Sequence, residues 1–556
     1  DEFEGSPSGN ILRFVNAVAE AVEAEFPDVL VDTFAYTYSR RPPRHTRPRH
    51  NVIVRFCPIE ADFSAPLDTR RNAMNKEILA DLEGWAAIAP HLYVWDYTQN
   101  WHFFLAPHPN LHVFGPNFRL YARQGVEGVF AQASLHTPHA DFEHLKGYVL
   151  AKLLWDADAD TEAIRDEYLR LYYGPAAPFL GEYLDGMEAR VRAPGVVLPM
   201  YNTLDWLDYD LVIRSLDLFG RAYAAVDDPV LRSRLDHAYL SVQFAAMVSP
   251  GRVREKPGGY IIDRPPSLLQ QEYWDRLIAN GVTHVADTTI EDLWNRLPLK
   301  EPPQHEETRI IPLRTARHEV WIAPELGAAV VRFRDLRTNT DLLRGVASLA
   351  QYRDRIGWWY YPIEAPDRYE TPSTGRFDVV GWGENALSLR LRYATGMVAA
   401  CRISLREEAP HLVLDTSFTN EGSAPVTLST SLRAEWQARA AETAELWTEA
   451  ETSWRVRGIP EAKMVRDFHL LDVAPGQAWG FRFPGNGHTL VQRVEASHLG
   501  WTAVRFAPDE ERLTTEASPG FVDLAPGESL EFRVEYTQLD FPPGRPTTCS
   551  CRHETP

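Results

Sequence analysis

Two carboxylates at the ends of apolar runs are the groups in this chain best suited to chemistry. Glu60 closes NVIVRFCPIE (51–60), and Asp96 follows LYVW within HLYVWDY (91–97). Breaking a glycosidic bond usually takes such a pair, one carboxyl protonating the leaving oxygen and the other attacking the sugar or activating water. With an N-acetylated sugar, the substrate's own acetamide can be the nucleophile and a carboxylate orients it. Asp62 lies two residues beyond Glu60, on the same expected edge. Tyr36, Tyr38, Trp95, Tyr97 and Trp101 are flat rings of the kind that stack on the C–H faces of sugars, and Asn100 and Gln132 complete the candidate substrate-binding set. Arg55 falls inside an apolar run, where a charge needs a partner. It reads equally as a substrate contact or as a structural ion pair with a nearby acid.

These side chains need a scaffold, and the flanking pattern describes one. Residues 8–25 place apolar positions at helical spacing, with Ser8 as the expected cap. Four apolar runs follow, VLVDTFAY (29–36), 51–60, 91–97 and GVEGVFAQA (125–133), with helical patterns at 72–89 and 141–155. Buried strands alternating with helices indicate a parallel sheet or barrel. Every run ends in polar or aromatic residues, and barrel enzymes carry their chemistry at the C-terminal ends of the strands.

Beyond this segment the texture changes twice. The pattern predicts a barrel part over 1–158, a helical domain over 159–300 and an antiparallel β-sandwich over 308–540, followed by a tail at 541–556. The helical stretch includes TEAIRDEYLRLYYG, stopped by Gly174. KEPPQHEE (300–307) reads as a linker, and after it apolar and polar residues alternate with turn clusters between. The fold class is therefore multidomain α/β plus all-β.

Bulk properties narrow the partners. The 556 residues exceed one core. A net charge of −20 opposes nucleic-acid and anionic-membrane binding, which require clustered Lys and Arg. No apolar run approaches a membrane span. Cys57, Cys401, Cys549 and Cys551 fit neither a zinc pattern nor a disulfide framework. His102, His108, His112, His136 and His139 read as surface-loop histidines, so no metal and no cofactor are expected. Aromatic residues make up 11% of the chain and serve cores first. The compartment stays open, secreted or periplasmic being favoured over cytoplasmic.

The segments EGSPSGNILRFVNAVAEAVEAEFPDVLVDTFAYTY, PRHNVIVRFCPIEADFSAPL, LYVWDYTQNW, GVFAQAS, YVLAKLLWD and YYGPAAP together resemble a bacterial glycosidase-like family. That family was first catalogued as domain of unknown function 4838 and includes glycoside hydrolase family 163, whose members act as endo-β-N-acetylglucosaminidases on N-glycans. The resemblance spans roughly residues 1–190. It implies the C-terminal half of a (β/α)8 barrel, an oligosaccharide or glycoprotein glycan as partner, Glu60 as acid/base and Asp96 as orienting or second carboxylate. It also implies further barrel strands ahead of EGSPSG, carried by the same gene or by a separate chain. The sandwich resembles galactose-mutarotase-like folds loosely. One departure stands out: the family pattern reads GVFEQG where this chain has GVFAQA, which makes Ala131 a position of possible lost catalysis. The competing expectation is a carbohydrate-binding protein without turnover. A lyase or epimerase acting through the sandwich would need a constellation that His318, His488 and His498 do not form in sequence.

Overall fold

Apolar residues at helical spacing make α1 (Ser8–Glu25), which buries Leu12, Val15 and Ala19. Its N-cap is Pro7, with no side-chain capping bond. Ser8 does not cap, because its hydroxyl is used elsewhere, donating to the Arg41 carbonyl at 2.6 Å. The four apolar runs form β1 (Val31–Tyr36), β2 (Val52–Cys57), β3 (His91–Tyr97) and β4 (Gly128–Gln132), all parallel and ordered β1-β2-β3-β4 in an open sheet. Helices α2 (Ala73–Ala86), α3 (Leu111–Arg123) and α4 (Glu143–Trp155) connect or follow them. In this computed structural model the described residues are 2–69, 71–134, 137–202, 204, 206–248, 251–263, 265, 270–285, 289–290, 305–343, 356–358, 363–365, 368–370, 375–437, 444–450, 453–459, 469–471, 474–482, 488–507 and 512–540.

Side chains alternate across a strand, and the register fixes which residues share a face. Val52, Val54, Phe56, Leu92 and Val94 are buried with residues of the surrounding helices. The opposite face carries Phe34, Tyr36, Arg55, Tyr93, Trp95 and Phe130, in rows that run across the four strands. Phe34 is 50% exposed, Phe130 45% and Tyr36 39%. Parallel sheets are normally covered on both sides, so this aromatic face is the unusual feature of the fold.

Contacts divide the chain into two compact units, 1–249 with 265–293 and 250–264 with 294–556. The first also holds α5 (Thr161–Tyr173), α6 (Ala177–Val191), α7 (Tyr209–Ala224), α8 (Pro229–Val248) and α9 (Gln270–Ala279). Their apolar sides share one core with the parallel sheet and its helices.

The second unit begins inside the stretch expected to be helical. Strands β5 (Arg252–Lys256) and β6 (Gly259–Asp263) form a hairpin, and β7 (His305–Arg309) adds to β6. Part of the expected linker 300–307 is therefore strand. Its charged residues gave no apolar alternation, and its hydrogen bonds come from a hairpin far back in the sequence. Tyr260 and Ile262 pack against Ala323, Leu326, Ala329 and Val331. The rest is antiparallel, in a nine-stranded and an eleven-stranded sheet. A core with Trp436, Phe418 and Phe532 is buried among their strands.

Candidate active site

The EGSPSG motif sets up the site through a loop. Glu4 accepts from the amides of His45 and Thr46 and from the Thr46 hydroxyl, and Arg13 donates to it at 2.7 Å. These partners, the Thr46 hydroxyl foremost, hold its carboxyl down at about 2. Ser6 and Ser8 both donate to the Arg41 carbonyl. The loop after β1 is thus tied to the start of α1, and it carries Arg40.

Arg40 is the hub. Its Nη1 donates to Glu60 Oε2 at 2.8 Å and its Nε to Asp81 Oδ2 at 2.9 Å. Trp85 Nε1 donates to the Arg40 carbonyl at 2.6 Å. All three charged side chains are buried. Burial weakens the Arg40 cation, but the two carboxylates outweigh it and raise its pKa. Burial also raises Asp81, against the pull of Arg40.

Glu60 reaches the C-terminal rim of the sheet, three residues past β2. Burial raises the phenol of Tyr36, helped by the nearby Tyr201, Cys57 and Glu60. Burial pushes the Cys57 thiol up to about 12, and it pushes Tyr97 far above the usual phenol range, with Cys57, Tyr36, Asp96 and Glu60 adding to the effect. Tyr36, Cys57 and Tyr97, from the ends of β1, β2 and β3, are therefore neighbours of Glu60, and Tyr201 from the loop after α6 neighbours Tyr36. Below the rim, Trp95 meets Phe130 at 4.5 Å and Phe34 at 5.6 Å, and its Nε1 donates to Gln132 Oε1 at 2.6 Å. Tyr38 is 68% exposed, one turn beyond β1.

Asp96 lies on the other side. In β3 it alternates with Trp95 and Tyr97 and shares the helix-facing side with Leu92 and Val94. Its Oδ2 accepts from the Tyr121 hydroxyl of α3 at 2.9 Å, and its Oδ1 from the Tyr97 amide at 2.8 Å. Burial lifts its pKa to about 6 against both hydrogen bonds. The expectation that Glu60 and Asp96 face one pocket gives way here to strand alternation. Ala131 pairs in register with Asp96 and packs against the same core, so a side chain there starts on the helix side too.

Other expected contacts are held by the protein itself. Arg55 donates to Asp32 of β1, with Nε at 2.9 Å, and its guanidinium lies 5.7 Å from the centre of the Tyr93 ring. Asp62 accepts from the amides of Ser64 and Leu198 and from Asn72 Nδ2. Asn100 accepts from the His102 amide and donates to the Asn202 carbonyl. Trp101 is buried and packs edge-on to Phe104 at 5.1 Å.

Behind the rim, Lys146 is wholly buried. It donates to the Thr98 and His108 carbonyls, to Gln99 Oε1 and to Asp141 Oδ2 at 2.9–3.1 Å. Burial lowers its pKa despite Asp141. This hub draws the loop after β3 inward and corrects the surface reading of two histidines. His108 is fully buried and pairs with Asn202 at 3.2 Å, and His112 Nε2 lies 3.0 Å from the Ser64 carbonyl. His136, Cys549 and Cys551 fall outside the described residues. Among those described, no three His, Cys, Asp or Glu side chains are grouped to hold a metal, and no helix is long and apolar enough to cross a membrane.

Sequence reasoning missed Arg40, Cys57 and Tyr201. Arg40 has no periodic context, although the repeated Arg of SRRPPR flags a cationic loop. Tyr201 is far away in sequence and gave no signal.

Residues 1–185 match the family model described as Domain of unknown function (DUF4838). The matched segment contains all four parallel strands and every rim residue above except Tyr201. No curated protein matches the chain. Among solved structures, the chain is similar to a galactose mutarotase-like protein from Lactobacillus casei ATCC 334 at 11% identity, with 41% of this chain and 100% of that one covered and a TM-score of 0.34. It is similar to an aldose epimerase homologue from C. elegans at 12% identity, 42% and 99% coverage and a TM-score of 0.33. A TPR-domain containing protein from Parabacteroides distasonis ATCC 8503 aligns at 13% identity, 50% and 52% coverage and a TM-score of 0.31. Likeness at this level carries no conclusion about ligand or reaction.

Proposed function

We propose that the DUF4838 segment is the working part of a glycoside hydrolase, with its site at the C-terminal rim of β1–β4. The observation that carries this reading is that Tyr36 and Tyr97 both neighbour Glu60 beside an aromatic face, with Tyr201 next to Tyr36. Glu60 is the acid/base residue, and the rings supply stacking surfaces for a sugar. An N-acetylglucosaminide of an N-glycan is the first substrate to test, because its acetamide can take the place of a nucleophilic carboxylate. Asp96 then acts as a positioning residue, its carboxylate gripping the Tyr97 amide from behind. The same reading has the uncovered face closed by further parallel strands, from the same gene or a separate chain.

The test is turnover of aryl N-acetylglucosaminides and of N-glycoprotein. Hydrolysis that falls by about 10²-fold or more in Glu60→Gln supports the assignment; hydrolysis unchanged in that variant overturns it. The placement of Asp96 favours a second reading, a glycan-binding protein without turnover. Glycan binding with no hydrolysis in the wild type would select it.

A further inference from the structure

Between β4 and α4 the chain makes a strained turn. His139 (φ 69°) and Phe142 (φ 46°) both sit in the left-handed region, which residues of this size rarely occupy. Such a conformation persists only when its surroundings hold it. Thr137 Oγ1 donates to the His284 carbonyl at 2.5 Å, Ser134 Oγ contacts Glu143 Oε1 at 2.8 Å, and the Asp141 amide donates to the Phe104 carbonyl at 3.0 Å. The fourth hold is different in kind. The His139 imidazole stacks on His237 of α8, with centroids 3.5 Å apart and planes at 16°. The Nδ1 atoms of both rings are buried and have no hydrogen-bond partner among the described residues. His144 of α4 lies 5.8 Å from His139.

We propose that the His139–His237 stack is an acid-sensitive latch that holds this strained loop closed, and that protonation releases it. A proton on either ring would put a charge against the other imidazole and leave a buried N–H without an acceptor. The surrounding charges do little to compensate. Asp236 of α8 attracts a proton to His237 but is engaged by the Tyr223 hydroxyl. Arg234, also on α8, is turned onto the Tyr172 ring of α5, 4.2 Å from its centre. From α4, His144 opposes a charge on either ring, and from the α9 side His139 gains a backbone hydrogen bond involving Asn280. Burial, then the neighbouring histidines, lower His139 to about 4, and burial lowers His237 in the same direction. Once the stack opens, the two left-handed residues can relax. Any effect on glycan binding rests on the function proposed above, whereas the latch itself does not.

The experiment is hydrogen–deuterium exchange on the ligand-free protein at pH 7.5 and pH 5.0, corrected for intrinsic rates. Segment 137–143 should exchange at least 10-fold faster at pH 5.0, while the β2 and β3 amides stay protected. In His139→Asn, which tolerates the left-handed backbone, the pH step should vanish. Equal protection at both pH values in the wild type, or an undiminished step in His139→Asn, would overturn the latch. Should that variant not fold, the wild-type ring signals decide by NMR titration. Assigned His139 and His237 signals titrating below the free value support the proposal, and either of them titrating near 6.5 or above ends it.

Discussion

Glu60 owes its position to Arg40, and Arg40 can be buried because Glu60 and Asp81 partner its charge. Truncating it to Met would leave Glu60 and Asp81 buried without their cation, and such losses cost roughly 3–5 kcal/mol. Arg40→Lys keeps a charge but not the fork, and should fall between the variant and the wild type. Urea unfolding of the three proteins at pH 7 checks the order. Asp96 yields a second expectation, with the opposite sign to the usual carboxylate. Its folded pKa of about 6 lies above the unfolded value of about 3.9. The stability it contributes is therefore fully present below about 3.9 and is lost as pH rises through about 6, a swing of roughly 3 kcal/mol for a wholly buried group. Asp96→Asn should remove that swing, as seen by unfolding at pH 4 and pH 7.5. An unchanged pH dependence in the variant would contradict the placement. At this scale the sequence was half readable. Arg55 had an ion pair among its two readings, and Asp32 supplies it one strand over. The side of β3 taken by Asp96 was also open to inspection, because alternation with Trp95 and Tyr97 puts it opposite them.

Helices and parallel strands declare themselves by period: α1, α2, α4 and the four strands lie where the apolar spacing puts them, whereas α3 had no such reading. What the period could not reveal is why EGSPSG is built as it is. Gly9 lies against Glu4, so close that an added Cβ would stand 2.3 Å from the Glu4 Cγ. Glu4 cannot step aside without losing its four hydrogen-bond donors. Gly9→Ala should therefore destabilise the first unit by roughly 1–3 kcal/mol, as overpacking does. Gly147, inside α4 with nothing within 4 Å of such a Cβ, makes the control. Gly147→Ala should stabilise by roughly 0.5–1 kcal/mol through helix propensity. Thermal unfolding of the two variants should move in opposite directions. Strand β7 was hidden for a different reason. HEETR has no apolar alternation, and its partner β6 lies beyond α9 in the sequence.

At the scale of the molecule, the aromatic face of β1–β4 is the feature most open to solution measurement. Exposed patches of this kind bind hydrophobic dyes and promote association. Replacing Phe34 and Phe130 together by Gln should lower dye fluorescence and self-association without lowering the unfolding temperature, because neither ring is buried. A large loss of stability in the double variant would mean that the face is already packed. The two-unit division was only partly legible: the change of texture near 308 marks the sandwich, but the hairpin inserted between α8 and α9 carries no such mark.

That hairpin has a consequence for how the protein is made. Strands β5 and β6 leave the ribosome well before β7, and Tyr260 and Ile262 have no cover until Val331 has been synthesised. At about 5–20 residues per second this is an interval of several seconds. During it, two short strands with an apolar side trail a first unit that can already be folding. A chaperone, or a pause in decoding, would be most useful here. A stalled chain ending near residue 300 would present this unfinished hairpin to the quality-control machinery.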